Sequence, residues 1–173
     1  MADVSKIVAA LQQTLERLGK AQNATGQAAA RAQQVQQQAA RSGFRGIAAG
    51  MGTVIERLKR IQEMQHGATT STKATAETVQ GVTADTNPDE VVSTLTPAAQ
   101  QLDGTVTSTT AIITEVDAAK TDATAALKGG KPGPMIAMLD QIKQAQAQAT
   151  SALADAKQRT EETVAQARQT GSF

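Results

Sequence analysis

Two long heptad patterns meet at residues 42–46, which read Ser-Gly-Phe-Arg-Gly. The first pattern ends at Arg41, the second restarts at Ile47, and neither contains a proline. A helix commonly ends at a glycine, because glycine adopts the left-handed backbone conformation without strain. Two glycines between two heptad runs therefore predict the tip of an antiparallel helical hairpin.

The second half of the chain repeats this arrangement, with a Gly-Gly-Lys-Pro-Gly-Pro break at residues 129–134. Four heptad runs of about 36 residues, rising about 1.5 Å per residue, give helices about 54 Å long. The sequence therefore predicts an all-α fold: an up-down-up-down four-helix bundle, or coiled coil, made of two long antiparallel hairpins. We place the first hairpin at residues 1–86 and the second at residues 87–173, packed together as one bundle. A short match between residues 75–79 and 160–164 leaves an internal duplication open.

The connection between the hairpins carries the start signals of a helix. Asn87 fits the N-cap and Pro88 the first helical position, and two acidic residues follow where the helix dipole is positive. Pro97 comes soon after, and a proline inside a helix removes one backbone hydrogen bond. We therefore expect a short helical turn over residues 88–95, followed by a kink or a restart at Pro97.

The core must be built from small and aliphatic side chains, because Phe44 and Phe173 are the two aromatic residues of the chain. Alanine and threonine bury little area each, so we expect a long, thin bundle that is modestly stable per residue. Asp3 fits the N-cap of the first helix. The expected seams of the first, second and fourth helices start at Val4, Ile47 and Met135. The seam of the third helix is expected at Val92, Leu95, Ala99, Leu102, Val106, Thr109, Ile113, Val116, Lys120, Ala123 and Leu127.

The sequence contains no pattern typical of an active site or a metal site. His66 is the single histidine and there is no cysteine, so a zinc site is not expected. There is no pair of Glu-x-x-His motifs for a di-iron site, no Gly-x-Ser-x-Gly nucleophile elbow and no phosphate-binding Gly-Lys-Ser/Thr loop. We therefore expect a protein without enzymatic activity, cofactor or bound metal.

Charge and hydropathy argue against two further kinds of partner. The chain carries a net charge of +1, from 17 basic and 16 acidic residues, so general nucleic-acid binding is not expected. The cluster of Arg57, Lys59 and Arg60 could contact nucleic acid, but stacking aromatic residues are lacking. No apolar run approaches the ~20 residues that span a bilayer, so a membrane partner is not expected. Binding to a lipid or granule surface through helices that open stays an alternative.

In the predicted topology, charge is divided between the two ends of the bundle. The half near the hairpin tips, residues 25–65 and 109–150, has ten basic and six acidic residues, whereas the remainder has seven basic and ten acidic. The candidate interaction residues at the tips are Arg41, Phe44, Arg45, Gly46, Lys128 and Lys131. The candidates at the opposite end are Asp85, Asp89, Glu90, Glu161 and Glu162. Attraction between the ends predicts head-to-tail self-association, or an anionic partner at the tips, with solvated surface charge as the alternative.

The aromatic residue at the first tip has two possible roles. Phe44 either caps the end of the core or is displayed to a partner. The bend Phe44-Arg45-Gly46 resembles the Trp-x-Gly motif of the small early-secreted-antigen-type substrates of type VII secretion, with phenylalanine in place of tryptophan. Those proteins are helical hairpins that pair into four-helix bundles. The resemblance therefore implies a chain that holds both hairpins of such a dimer and acts as a secreted or secretion-associated factor.

From the residues, we expect a non-enzymatic helical scaffold whose partner is another protein or itself, as a homo-oligomer or filament. The type VII secretion-associated factor and the lipid or granule-surface protein are the two alternatives. No secretory signal peptide is recognisable in the sequence, so a cytoplasmic location is the default expectation, and export without a signal peptide stays open.

Overall fold

The computed structural model describes residues 4–171 and contains four long α-helices. They are α1 (Val4–Arg41), α2 (Arg45–Gln80), α3 (Pro88–Ala126) and α4 (Gly133–Thr170). Both α1 and α3 pack along α2 and α4, so α1 lies diagonally across the core from α3, and α2 from α4. No strand occurs within the described residues. The predicted all-α, up-down-up-down four-helix bundle is confirmed, whereas the N-cap predicted at Asp3 lies outside the described part of the chain.

The first tip is held by two backbone hydrogen bonds around a glycine. Gly43 has a φ of 80°, and its N–H donates to the carbonyl of Ala40 at 3.2 Å. The N–H of Phe44 donates to the carbonyl of Ala39 at 2.9 Å. Together these bonds form the Schellman pattern of a helix C-terminus. The helix α2 then begins at Arg45, two residues earlier than the predicted restart.

The start of α3 follows the sequence prediction. The Oδ1 atom of Asn87 accepts a hydrogen bond from the N–H of Glu90 at 2.9 Å. Pro88 is the first residue of the helix, where a missing N–H costs nothing. The predicted N-cap is therefore confirmed, and it fixes where the second hairpin begins.

The helix α3 continues through Pro97, so the predicted restart there is wrong, whereas a kink at this residue stays a prediction. The side chain of Pro97 is exposed, and so is the residue four positions earlier, whose carbonyl loses its helical partner. That carbonyl can hydrogen-bond to water instead. Leu95 and Ala98, on either side of the proline, are buried in the core and hold the helix in place.

Burial confirms three of the predicted seams and corrects four of the eleven positions of the fourth. The predicted seam positions of α1, α2 and α4 are all buried or half-buried. In α3, four buried positions each lie one residue before a predicted one: Val91, Thr105, Ile112 and Ala119. Placing Lys120 in the core was wrong, because its Nζ atom forms an ion pair with Asp140 on α4. Adjacent apolar pairs such as Ile112 and Ile113 make both registers look acceptable in the sequence.

The apolar core has two main parts with a polar contact between them. One cluster of aliphatic residues fills the core near the tips, and another fills the opposite half. Between them, Gln65 of α2 donates through Nε2 to the Oε1 atom of Gln146 on α4 at 3.2 Å, and both side chains are fully buried. The remaining amide atoms, Oε1 of Gln65 and Nε2 of Gln146, have no partner within residues 4–171. This single hydrogen bond joins the two hairpins across the diagonal of the core.

We expect Gly50→Ala to destabilise the bundle, because a methyl group on Gly50 would lie 2.5 Å from the Cβ atom of Ala126 on α3. Overpacking of this kind costs about 1–3 kcal/mol of unfolding free energy. The matched control is Gly67→Ala in the same helix, where the added methyl meets nothing within 4 Å. There the higher helix propensity of alanine should raise stability by up to ~1 kcal/mol. Urea unfolding measures the unfolding free energy of both variants. If both variants changed it equally and in the same direction, the close approach of Gly50 to Ala126 would be contradicted.

We expect Gln146→Leu alone to lower the unfolding free energy by about 1–3 kcal/mol, because it leaves the amide of Gln65 buried without a partner. The double variant Gln65→Leu/Gln146→Leu removes both polar groups and should be at least as stable as the native chain. Urea unfolding of the two variants tests this pair. A double variant less stable than the single one would refute the interpretation.

Candidate functional site

Phe44 is displayed at the first tip and does not close the end of the core. Its side chain is 60% exposed and is the one large hydrophobic residue exposed within residues 4–171. It precedes α2 at the N-cap position, where it makes no side-chain capping bond. This exposure argues against the capping role, and display to a partner stays a prediction. Arg45 and Gly46 follow it in the first turn of α2.

Four cations lie on the two hairpin tips, at the same end of the bundle as Phe44. Arg41 ends α1, Arg45 begins α2, and Lys128 and Lys131 lie in the turn between α3 and α4. All four are exposed, and none has a hydrogen bond or ion pair with another side chain of residues 4–171. We call this set, with Phe44 and Gly46, the tip. It combines free positive charge with an exposed aromatic ring.

Several basic residues along the body of the bundle pair with acids on neighbouring helices. Lys143 of α4 contacts Asp117 of α3 at 2.7 Å. Lys157 of α4 contacts Asp103 of α3 at 2.6 Å, and this hydrogen bond raises the pKa of Lys157. The hydrogen bond to Asp140 likewise raises the pKa of Lys120. These charges are used within the chain, whereas other exposed basic residues of the body form no ion pair within residues 4–171.

Two of the three residues considered for nucleic acid, Arg57 and Arg60, are also paired within the bundle. Arg57 contacts Asp122 and lies 3.1 Å from Glu115, and the hydrogen bond to Asp122 raises the pKa of Arg57. Arg60 approaches the same Glu115 at 3.6 Å. The two arginines thus tie α2 to α3, which reduces the positive charge that they could offer to a phosphate.

The acidic residues predicted at the opposite end divide into two groups. Asp85, Asp89 and Glu90 lie at the connection between the hairpins, are exposed, and form no ion pair within residues 4–171. We call these three the acidic end. Glu161 and Glu162 lie about two turns from the end of α4 and bond to side chains of their own helix, Lys157 at 3.8 Å and Gln158 at 2.9 Å respectively.

A cavity of about 100 Å³ opens beside the acidic end, between the connection and the last turns of α4. We call it the end cavity. Its residues are Thr83, Ala84, Thr86, Pro88, Val91, Gln166, Ala167 and Thr170. Sequence analysis missed it, because it forms where the connection and the C-terminal part of α4 meet in space. The one available signal was an apolar residue, Val91, within the acidic first turn of α3.

A comparison with protein families places the second hairpin in a known group. A model of a family of unknown function, DUF6244, matches residues 86–172. The chain belongs to this family. No curated protein and no solved structure matches the chain.

The DUF6244 segment and the hairpin before it both contribute to the two ends. The segment supplies Lys128 and Lys131 to the tip, and Asp89 and Glu90 to the acidic end. The preceding hairpin supplies Arg41, Phe44, Arg45 and Gly46, and the connection supplies Asp85. The tip is therefore complete only when the DUF6244 hairpin packs on the first one.

The side of the DUF6244 hairpin holds a second cavity, of about 380 Å³, between α3 and α4. Its charged residues include Asp103 and Glu161, which both form ion pairs with Lys157. Within residues 4–171 there is no group of three or more potential metal ligands. The same residues include no helix long and apolar enough to cross a membrane.

We expect Phe44→Ala to leave the unfolding free energy within about 0.5 kcal/mol of the native value, because the ring is mostly exposed. The control is Leu58→Ala, since Leu58 is fully buried near the tips and its truncation should cost about 2–5 kcal/mol. Thermal or urea unfolding compares the two. A loss at Phe44 similar to that at Leu58 would mean that the ring packs on the core in solution.

Proposed function

We propose that this protein is a non-enzymatic helical scaffold that acts through protein–protein contacts at its ends and assembles with further copies of itself. The observation that carries the proposal is the tip, where an exposed Phe44 shares one end of the bundle with four cations that have no acidic partner within residues 4–171. At the other end lie carboxylates that form no ion pair within the same residues. Each chain thus offers two surfaces of opposite charge.

The placement of these surfaces favours a head-to-tail contact. Tip and acidic end are at opposite ends of helices about 57 Å long, taking 38 residues at 1.5 Å each. A contact between two different surfaces that does not close into a ring produces a filament. Since the core buries little area per residue, additional contact between chains would also stabilise each copy.

We expect self-association that weakens as salt is added, because exposed charges are screened over about 8 Å at physiological ionic strength. The variant Arg41→Glu/Arg45→Glu should abolish it. The control Lys59→Glu/Lys73→Glu makes the same change in net charge on exposed residues along α2, away from both ends, and should still associate. Sedimentation velocity at low and high salt measures all three proteins.

Two results would contradict this proposal. One is a native chain that stays monomeric at low salt and high concentration. The other is an assembly that survives both high salt and the Arg41→Glu/Arg45→Glu exchange, which would indicate an apolar contact along the sides of the helices.

A second candidate function is a secretion-associated factor of the type VII kind, favoured by the exposed aromatic residue at the bend. Phe44 is exposed at the bend, with Arg45 and Gly46 following, and the tryptophan of the Trp-x-Gly family that the bend resembles also lies at a hairpin bend. If this is the role, the protein should appear in the culture filtrate of its native host, and Phe44→Ala should reduce that amount without reducing the amount inside the cells. A filtrate without the protein, when the cells contain it, would exclude the idea.

A further inference from the structure

The exposed ring of Phe44 and the end cavity are complementary features at opposite ends of one molecule. We infer that Phe44 of one copy inserts into the end cavity of the next copy, with Arg41 and Arg45 facing Asp85 and Asp89. This inference rests on the self-assembly proposed above and names the contact that makes it. The partner is a second copy of this chain.

The shape of the two features supports the insertion. The end cavity measures about 100 Å³, less than the cavities of about 150 Å³ that hold a benzene ring, so the ring of Phe44 enters it in part and also rests on its rim. Its apolar wall is formed by Ala84, Pro88, Val91 and Ala167. On the other side, hydrogen bonds at the end of α1 fix the backbone of Phe44, so the ring is presented without ordering a loop.

The charges around the two features match as well. Arg45 directly follows Phe44, and Arg41 lies three residues before it. Asp85 stands between two residues that line the end cavity, and Asp89 directly follows a third. A buried aromatic anchor with a charged rim is the usual anatomy of a specific interface. Such a rim also selects the orientation in which the two copies meet.

The alternative contact, tip against tip, brings like charges together. Each tip carries four cations without acidic partners within residues 4–171, so a symmetric dimer through two tips would oppose eight positive charges. The contact between a tip and an end cavity avoids this repulsion. It also leaves one free tip and one free end cavity on every pair, so growth can continue.

The sharpest test mixes two blocked variants. Arg41→Glu/Arg45→Glu has a blocked tip and an intact end cavity, whereas Asp85→Lys/Asp89→Lys has the reverse. Each variant alone should be a monomer, and the mixture should form a one-to-one dimer that does not grow, because it contains one functional contact. Sedimentation velocity of the two variants and of their mixture measures this. A mixture that stays monomeric, or a variant that still polymerises alone, would overturn the inference.

A second test examines the insertion itself. Phe44→Ala should weaken self-association about thirtyfold or more, the scale of an aromatic hot spot. Gln166→Trp places a large ring on the rim of the end cavity and should weaken it similarly. The control Gln144→Trp adds the same ring to an exposed position of α4 that lies away from both ends of the helix, and it should have no effect.

The outcomes separate this inference from the proposed function. If Arg41→Glu/Arg45→Glu abolishes assembly while Phe44→Ala and Gln166→Trp leave it unchanged, the ends associate by charge alone and the insertion is wrong. If the native chain never associates, the proposed self-assembly fails and the insertion fails with it. If the native chain associates and both variants weaken it relative to Gln144→Trp, the insertion is supported.

Discussion

Within residues 4–171 the core contains no aromatic side chain, and the rest of this structure depends on that constraint. Its seams contain mainly alanine, threonine, valine, leucine and isoleucine, so helices approach closely and each layer buries little area. Stability then has to come from many layers, which requires helices of 36–39 residues. A bundle this long and thin has two small end surfaces far apart. Phe44, which such a narrow core does not contain, stands on one of them.

Small side chains also specify poorly how the helices align along one another, since one layer of alanine residues in the core resembles the next. The buried Gln65 and Gln146 supply what the alanines lack, because a shift of either hairpin by one layer would leave both amides facing apolar neighbours. A single buried polar pair is the best attested way to fix register in helical bundles. The ion pair between Arg57 of α2 and Glu115 of α3 crosses from one hairpin to the other and agrees with the same alignment. Register matters here because it decides which residues meet at each end.

Much of the fold could be predicted from local signals in the sequence. Glycine breaks marked both tips, the heptads marked three seams, and Asn87 with Pro88 marked the start of α3. The seam of α3 was wrong at four of its eleven positions, because adjacent apolar residues fit either register, and the charge of Lys120 was the signal against the chosen one. The restart predicted at Pro97 was wrong because tertiary packing outweighs the loss of one exposed hydrogen bond. The end cavity depends on two distant segments that meet in space, which heptad analysis does not describe.

The two hairpins contribute unequally to the ends, and this bears on why both belong to one chain. The ring of Phe44 comes from the first hairpin, while the end cavity is formed mainly by the connection and the DUF6244 segment. A DUF6244 hairpin alone would expose the apolar faces of α3 and α4 that the first hairpin covers here. Packing the two hairpins side by side therefore buries those faces and puts ring and cavity at opposite ends. An assembly built from such units has a direction, because the two ends of every copy differ.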